Sequence, residues 1–181
     1  AGALGGAADH SSTDITVDSN AVATAEVASY AGADSHAFGT GAAIDDSYTN
    51  VDVDSNANAN AELLGIATAS ADAEAYGLAV DDSVAEVSAQ ACAEAEAALL
   101  AVADADAGAG AVGVALDDST VDANADSYAG AAAYLIAAAD ATSEAVSGAF
   151  AVDDSSARAD AYSGAEAGAF LLLKISTNVC R

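Results

Sequence analysis

Four copies of one short signal, an apolar residue followed by Asp-Asp-Ser, recur at a constant interval of 36 residues: Ile44-Asp45-Asp46-Ser47, Val80-Asp81-Asp82-Ser83, Leu116-Asp117-Asp118-Ser119 and Val152-Asp153-Asp154-Ser155. One interval earlier, Asp9-His10-Ser11 is a fifth, altered copy. A fixed period in this range signals units that stack, because one such unit cannot bury its apolar face alone. The chain divides into a partial repeat 1–8, full repeats 9–44, 45–80, 81–116 and 117–152, and a partial repeat 153–181, all within a single repeat domain.

Inside each repeat the dominant pattern is strict alternation, as in Ala57-Asn58-Ala59-Asn60-Ala61 and Ala91-Cys92-Ala93-Glu94-Ala95-Glu96-Ala97. Period two is the signature of a strand. Alanine is the best helix former, but alternating Ala on a 3.6-residue helix would spread methyls around the whole circumference and leave no apolar stripe to bury. The period therefore outweighs the propensity. The absence of Pro from all 181 residues suits uninterrupted ladders that need every N–H.

Two strand-like arms emerge per repeat, each about 13 residues or roughly 43 Å long. They are separated by a break at Val27-Ala28, Leu63-Leu64, Leu99-Leu100, Leu135-Ile136 and Leu171-Leu172. Paired apolar residues there predict a corner around a wider, better filled end of the core. The expected fold is all-β: a two-armed β-solenoid or cross-β stack of five 36-residue repeats, with a core of Ala and Gly only. Sheets separated by methyls and hydrogens should approach closer than the usual ~10 Å, in a dry interface of the steric-zipper kind. The first arm's outer positions, such as Asp52, Asp54, Asn56, Asn58 and Asn60, read as a solvated face suited to Asn ladders. The second arm's, including Phe38, Ile66, Tyr76, Leu78, Val102, Val112, Val114, Val146 and Phe150, read as a lateral contact surface.

The chain carries 29 acidic against three basic residues, a formal charge of -26. This argues against nucleic acid and anionic membranes as partners, and for cation binding, solubility or a saline habitat. No apolar run reaches the roughly 18 residues of a spanning helix, so membrane insertion is not expected. With Ala1 first and no Met anywhere, the expectation is a processed form that has lost a secretory signal, placing the protein outside the cell or on its surface. Cys92 and Cys180 lack zinc-ligand spacing. As outward columns on different arms and rungs they should lie beyond the ~7 Å Cα separation of a disulfide, so any bridge is expected to link subunits.

Several chemical motifs have plainer readings. Gly108-Ala109-Gly110-Ala111-Val112-Gly113 spells a dinucleotide fingerprint, but Asp117-Asp118-Ser119 stands where the phosphate-binding helix should begin. Asp104-Ala105-Asp106-Ala107-Gly108 lacks the central Gly and terminal Glu of a calcium loop. His10 and His36 sit among many Ser and Asp residues with nothing to make a catalytic trio converge, and no enzyme is expected. The Asp-Asp-Ser signal has a local reading as a turn, since Asp and Ser bond their own backbone. Its functional reading is a pair of cation columns: stacking aligns Asp45, Asp81, Asp117 and Asp153, with Asp9 one rung earlier, in one rank and Asp46, Asp82, Asp118 and Asp154 in another. Like charges ~4.8 Å apart repel by about 1 kcal/mol even in water, so Ca2+, other cations or protons should ease assembly. No other cofactor is expected.

In being repeat-built, free of Pro and arranged as one or two β-arches per repeat, the chain resembles bacterial functional amyloid subunits of the curli and Fap type. The likeness is architectural and spans all five repeats, with Asp-Asp-Ser and alternating Ala in place of the curli Ser, Gln and Asn and the Fap C-x-x-C. It implies a secreted structural subunit that polymerises with itself into extracellular filaments of a matrix, sheath or appendage. End arithmetic points the same way. Residues 1–8 fill the last eight columns of a repeat, and the fifth repeat stops at its twenty-ninth, so tail and head together make one repeat plus one residue. The alternative is a monomeric binding solenoid of the ice-binding or adhesin type, although Thr16, Thr24, Thr40, Thr49 and Thr68 do not align into a flat rank.

Overall fold

In a computed structural model that describes residues 1–27, 30–62, 64–98, 102–134 and 138–170, ten strands form and no helix. They are β1 (Gly2–Ala8), β2 (Ser12–Ala25), β3 (Tyr30–Ile44), β4 (Tyr48–Ala61), β5 (Ile66–Val80), β6 (Val84–Ala98), β7 (Val102–Leu116), β8 (Thr120–Tyr134), β9 (Ala138–Val152) and β10 (Ser156–Phe170). Odd strands make one five-stranded sheet, β1-β3-β5-β7-β9, and even strands the other, β10-β8-β6-β4-β2. The fold is an all-β solenoid.

Pairing is parallel throughout and joins each residue to the one 36 positions away, as in Ala67↔Ala103 and Ala85↔Val121. Successive strands therefore belong to opposite sheets, and each repeat is an arch whose two arms pair only with other rungs. The register follows from burial, because a one-residue slip would turn every inward methyl outward. Full arms run to 14 or 15 residues, slightly longer than expected.

Alternation sorts side chains as the pattern requires. Ala67, Ala71, Ala75 and Ala79 of β5 and Ala85, Ala89, Ala93 and Ala97 of β6 are all fully buried. Each methyl withdrawn from water contributes on the order of 0.8 kcal/mol, so stability accumulates from many small terms and the ladders. The gap between sheets is narrow: the Ser127 hydroxyl on β8 donates to the Ala107 carbonyl on β7 at 2.7 Å, and the Thr49 hydroxyl on β4 to the Ala42 carbonyl on β3 at 2.9 Å.

Two expectations need correction. The core is not restricted to Ala and Gly, since Ile15, Val17, Val51, Val53, Val87 and Val121 are buried near the Asp-Asp-Ser end of the first arm. They fit because Gly5, Gly39, Gly41, Gly77 and Gly113 face them, and a Cβ on Gly39 would lie 2.6 Å from Val53 Cγ2 and 2.8 Å from Val51 Cγ1. A large side chain on one sheet thus fills the space that a missing Cβ leaves on the other. Nor do the described members of the corner pairs fill an end of the core: Val27 and Leu64 are 67% and 50% exposed. The other residues of the corner pairs lie outside the described residues.

Candidate functional site

The Asp-Asp-Ser turns are built by backbone geometry. Both Asp residues of every copy adopt the left-handed conformation, with φ of 58° and 54° at Asp45 and Asp46, 55° at Asp81 and Asp82, 54° and 58° at Asp117 and Asp118, and 56° at Asp153 and Asp154. Two consecutive left-handed residues reverse the chain from one sheet into the other, and Asp, with a short polar side chain, tolerates that region better than most residues. Asp9 and His10 take the same conformation at φ 55° and 61°.

The turns stack as the strands do. The Asp46 amide donates to the Asp81 carbonyl at 3.0 Å, Asp82 to Asp117 at 3.1 Å and Asp118 to Asp153 at 3.0 Å. Behind them the serines form a column of their own, buried at Ser47, Ser83 and Ser119. The Ser47 amide donates to the Ser83 hydroxyl, Ser83 to Ser119 and Ser119 to Ser155, each at 3.2 Å. The Ser47, Ser83 and Ser119 hydroxyls in turn donate to the carbonyl of the first Asp of their own turn, 3.2 Å away for Ser47 and Ser83 and 3.3 Å for Ser119, whereas the Ser155 hydroxyl donates to the Val152 carbonyl at 2.7 Å, with Asp153 at 3.3 Å. The serine thus locks its own turn and the rung before it.

All eight aspartates of the two ranks, Asp45, Asp46, Asp81, Asp82, Asp117, Asp118, Asp153 and Asp154, are solvent-exposed at this end of the stack. His10 occupies the second rank and places Nε2 3.4 Å from Asp46 Oδ2. Among the described residues, no three His, Cys, Asp or Glu side chains converge as a metal site. What the ranks offer is a line of like charge to screen.

The outer faces hold further charge. His36 bridges Asp34 and Asp72, each at 3.2 Å, on the odd sheet. Burial pushes the Asp72 carboxyl up, against the opposing pull of His36. On the even sheet, burial and then the neighbouring Asp52 and Asp18 raise Asp54. Asn58 donates to Glu94 at 3.2 Å rather than joining an Asn ladder, because the register places Glu94 above it. Tyrosines reach diagonally to the next rung. Tyr48 donates to Glu86 at 2.8 Å, and burial followed by that carboxylate pushes its phenol up to about 12.

Cys92, outward on β6 yet only 9% exposed, is disulfide-bonded. Cys180 lies outside the described residues, and with it the expectation about what a bridge between the two cysteines would link. The dinucleotide-like and calcium-loop-like stretches are both part of the extended strand β7. What sequence reasoning missed is the polar content of the core. Ser35 donates to Ser19 at 2.9 Å, Ser55 to the Ser35 carbonyl at 2.7 Å, and Ser127 sits 2.7 Å from the Ser143 hydroxyl. The signal was Ser at alternating inward positions otherwise held by Ala. Comparison with known protein families, curated proteins and solved structures finds no match for this chain.

Proposed function

We propose that the chain is an extracellular structural subunit that stacks on copies of itself into filaments, each copy continuing the ladder of the last. The observation that carries this reading is the difference between equivalent columns of neighbouring strands. Ala123, Ala125 and Ala129 of β8 are fully buried, whereas their partners Ala159, Ala161 and Ala165 on β10 are exposed. At the other end β1 pairs with β3 from Phe38 onward. The bare inner methyls of β10 are a surface of the kind proteins normally cover, and strand addition by a second copy covers them in the register the repeats already use.

Five rungs at ~4.8 Å give an axial rise near 24 Å per subunit. Stacking also extends the two ranks of aspartates, so assembly should quicken with added Ca2+ or with acid, either of which reduces the repulsion between like charges. Negative-stain microscopy with helical analysis is the test. Unbranched fibres of that rise, growing faster with Ca2+ or acid, are the expected result. Compact monomers under all these conditions would abandon the reading in favour of a monomeric binding solenoid.

A further inference from the structure

The outer face of the odd sheet is divided in two along its strands. Over the first halves of β3, β5, β7 and β9 the outward positions carry six carboxylates, on Asp34, Asp72, Asp104, Asp106, Asp140 and Glu144. Over their second halves, and along all of β1, the outward positions carry one, Glu74. In a chain with 29 acidic residues this half-face is a gap in the charge, and it is apolar instead. Leu4, Phe38, Tyr76, Val112 and Phe150 are 82%, 45%, 38%, 37% and 71% exposed.

We infer that this half-face is a lateral interface with a second copy of the chain, the two copies related by a two-fold axis along the stack. The area is sufficient. Five strands at ~4.8 Å by seven residues at ~3.3 Å give about 550 Å2 per copy, hence about 1,100 Å2 in all, against the roughly 1,000 Å2 that a specific interface requires. Charge selects the orientation. With strands running the same way in both copies, acidic half would lie on acidic half. An axis along the stack reverses strand direction across the interface, overlaps the apolar halves and carries the acidic halves to opposite sides, into water. The face also has relief to interlock: the Phe38 and Tyr76 rings stand together with centroids 5.6 Å apart, while Gly110 and Gly148 leave open space where a Cβ would be.

This pairing uses a different surface from the open rung ends and does not require stacking. It brings the aspartate turn of each copy toward the acidic half of the other, so added salt strengthens it, whereas capture of a basic partner would weaken with salt. Sedimentation velocity over a hundredfold concentration range, at low and high salt, is the test. The expected result is a reversible dimer promoted by salt, its association constant reduced about tenfold or more, a loss typical of an interface anchor, by Tyr76→Lys with Val112→Lys. Phe150→Lys should act in the same direction, while Thr142→Lys, on the acidic half, should leave the dimer intact. These side chains point outward, and circular dichroism confirms that each variant is folded. A chain monomeric at both salts, or a dimer indifferent to lysines on the apolar half, overturns the inference. If fibres also form, the apolar-half variants should yield single stacks of about half the width of the paired form, and unchanged width would count equally against it.

Discussion

Gly77 on β5 and Val87 on β6 face each other so closely across the two sheets that a Cβ on Gly77 would fall inside contact distance of Val87 Cγ2. The same exchange of a hydrogen for an isopropyl group links Gly113 with Val121. Gly77→Ala should therefore destabilise the fold by about 1–3 kcal/mol through overpacking, although alanine occupies most inward positions without cost. Val87→Ala alone should also destabilise, by leaving a cavity. Combining them should recover much of the loss, and a double-mutant cycle from denaturant melts reads that coupling. Simple additivity would mean that the two sites do not share the space.

Ser83 predicts a different kind of loss. Its hydroxyl, 1% exposed, accepts from the Ser47 amide and donates to the Asp81 carbonyl. Ser83→Ala keeps the volume nearly constant but leaves the buried Ser47 amide without its acceptor, while the Asp81 carbonyl keeps the Asp46 amide, and the loss should cost about 1–3 kcal/mol. Hydrogen exchange should show the Ser47 amide losing protection more than amides in mid-strand. Equal loss everywhere would argue that the serine column does not pin the turns individually.

The two left-handed positions separate backbone from charge. Replacing Asp81 and Asp82 with Gly removes both the left-handed strain and two like charges, so it should preserve or raise stability. Asp81→Ala removes a charge but keeps a Cβ in a region that costs roughly 1–2 kcal/mol for L-residues, and it should lie below the Gly variant. Thermal melts of the two variants give the order directly, and Ala equal to Gly would show that conformation is not what selects this turn.

Acid should stabilise through Asp54. Its folded-state carboxyl is raised, first by burial and then by Asp52 and Asp18, so the folded chain holds this proton more tightly than the unfolded one. The contribution is then favourable at low pH and is lost as pH rises from the ordinary carboxyl value through the folded one. Asp72 has the same sign. Melting midpoints should rise on acidification from neutrality toward pH ~4. Asp54→Asn should raise stability at neutral pH by about 0.2–1 kcal/mol, the scale for like charges on adjacent strands, with the gain vanishing in acid. A gain that persists unchanged in acid would place its origin outside the titration of Asp54.

The repeat interval, the strand assignment, the inward alanine columns and the turns were all legible in the sequence, because period two and period 36 are properties of order along a chain. Parallel stacking fixes which residues become neighbours once the period is known, so Asp45 over Asp81 and Ala67 over Ala103 could be read before any coordinates. Relationships across the gap between the sheets could not. Which glycine of one arm faces which valine of the other depends on where the left-handed turn releases the chain and how far one sheet slides over its neighbour. Neither quantity is periodic. The opposition of Gly77 to Val87, the closure of Ser35 on Ser55 and the exposure of Val27 and Leu64 were decided only in three dimensions, where close packing couples residues that no spacing rule connects.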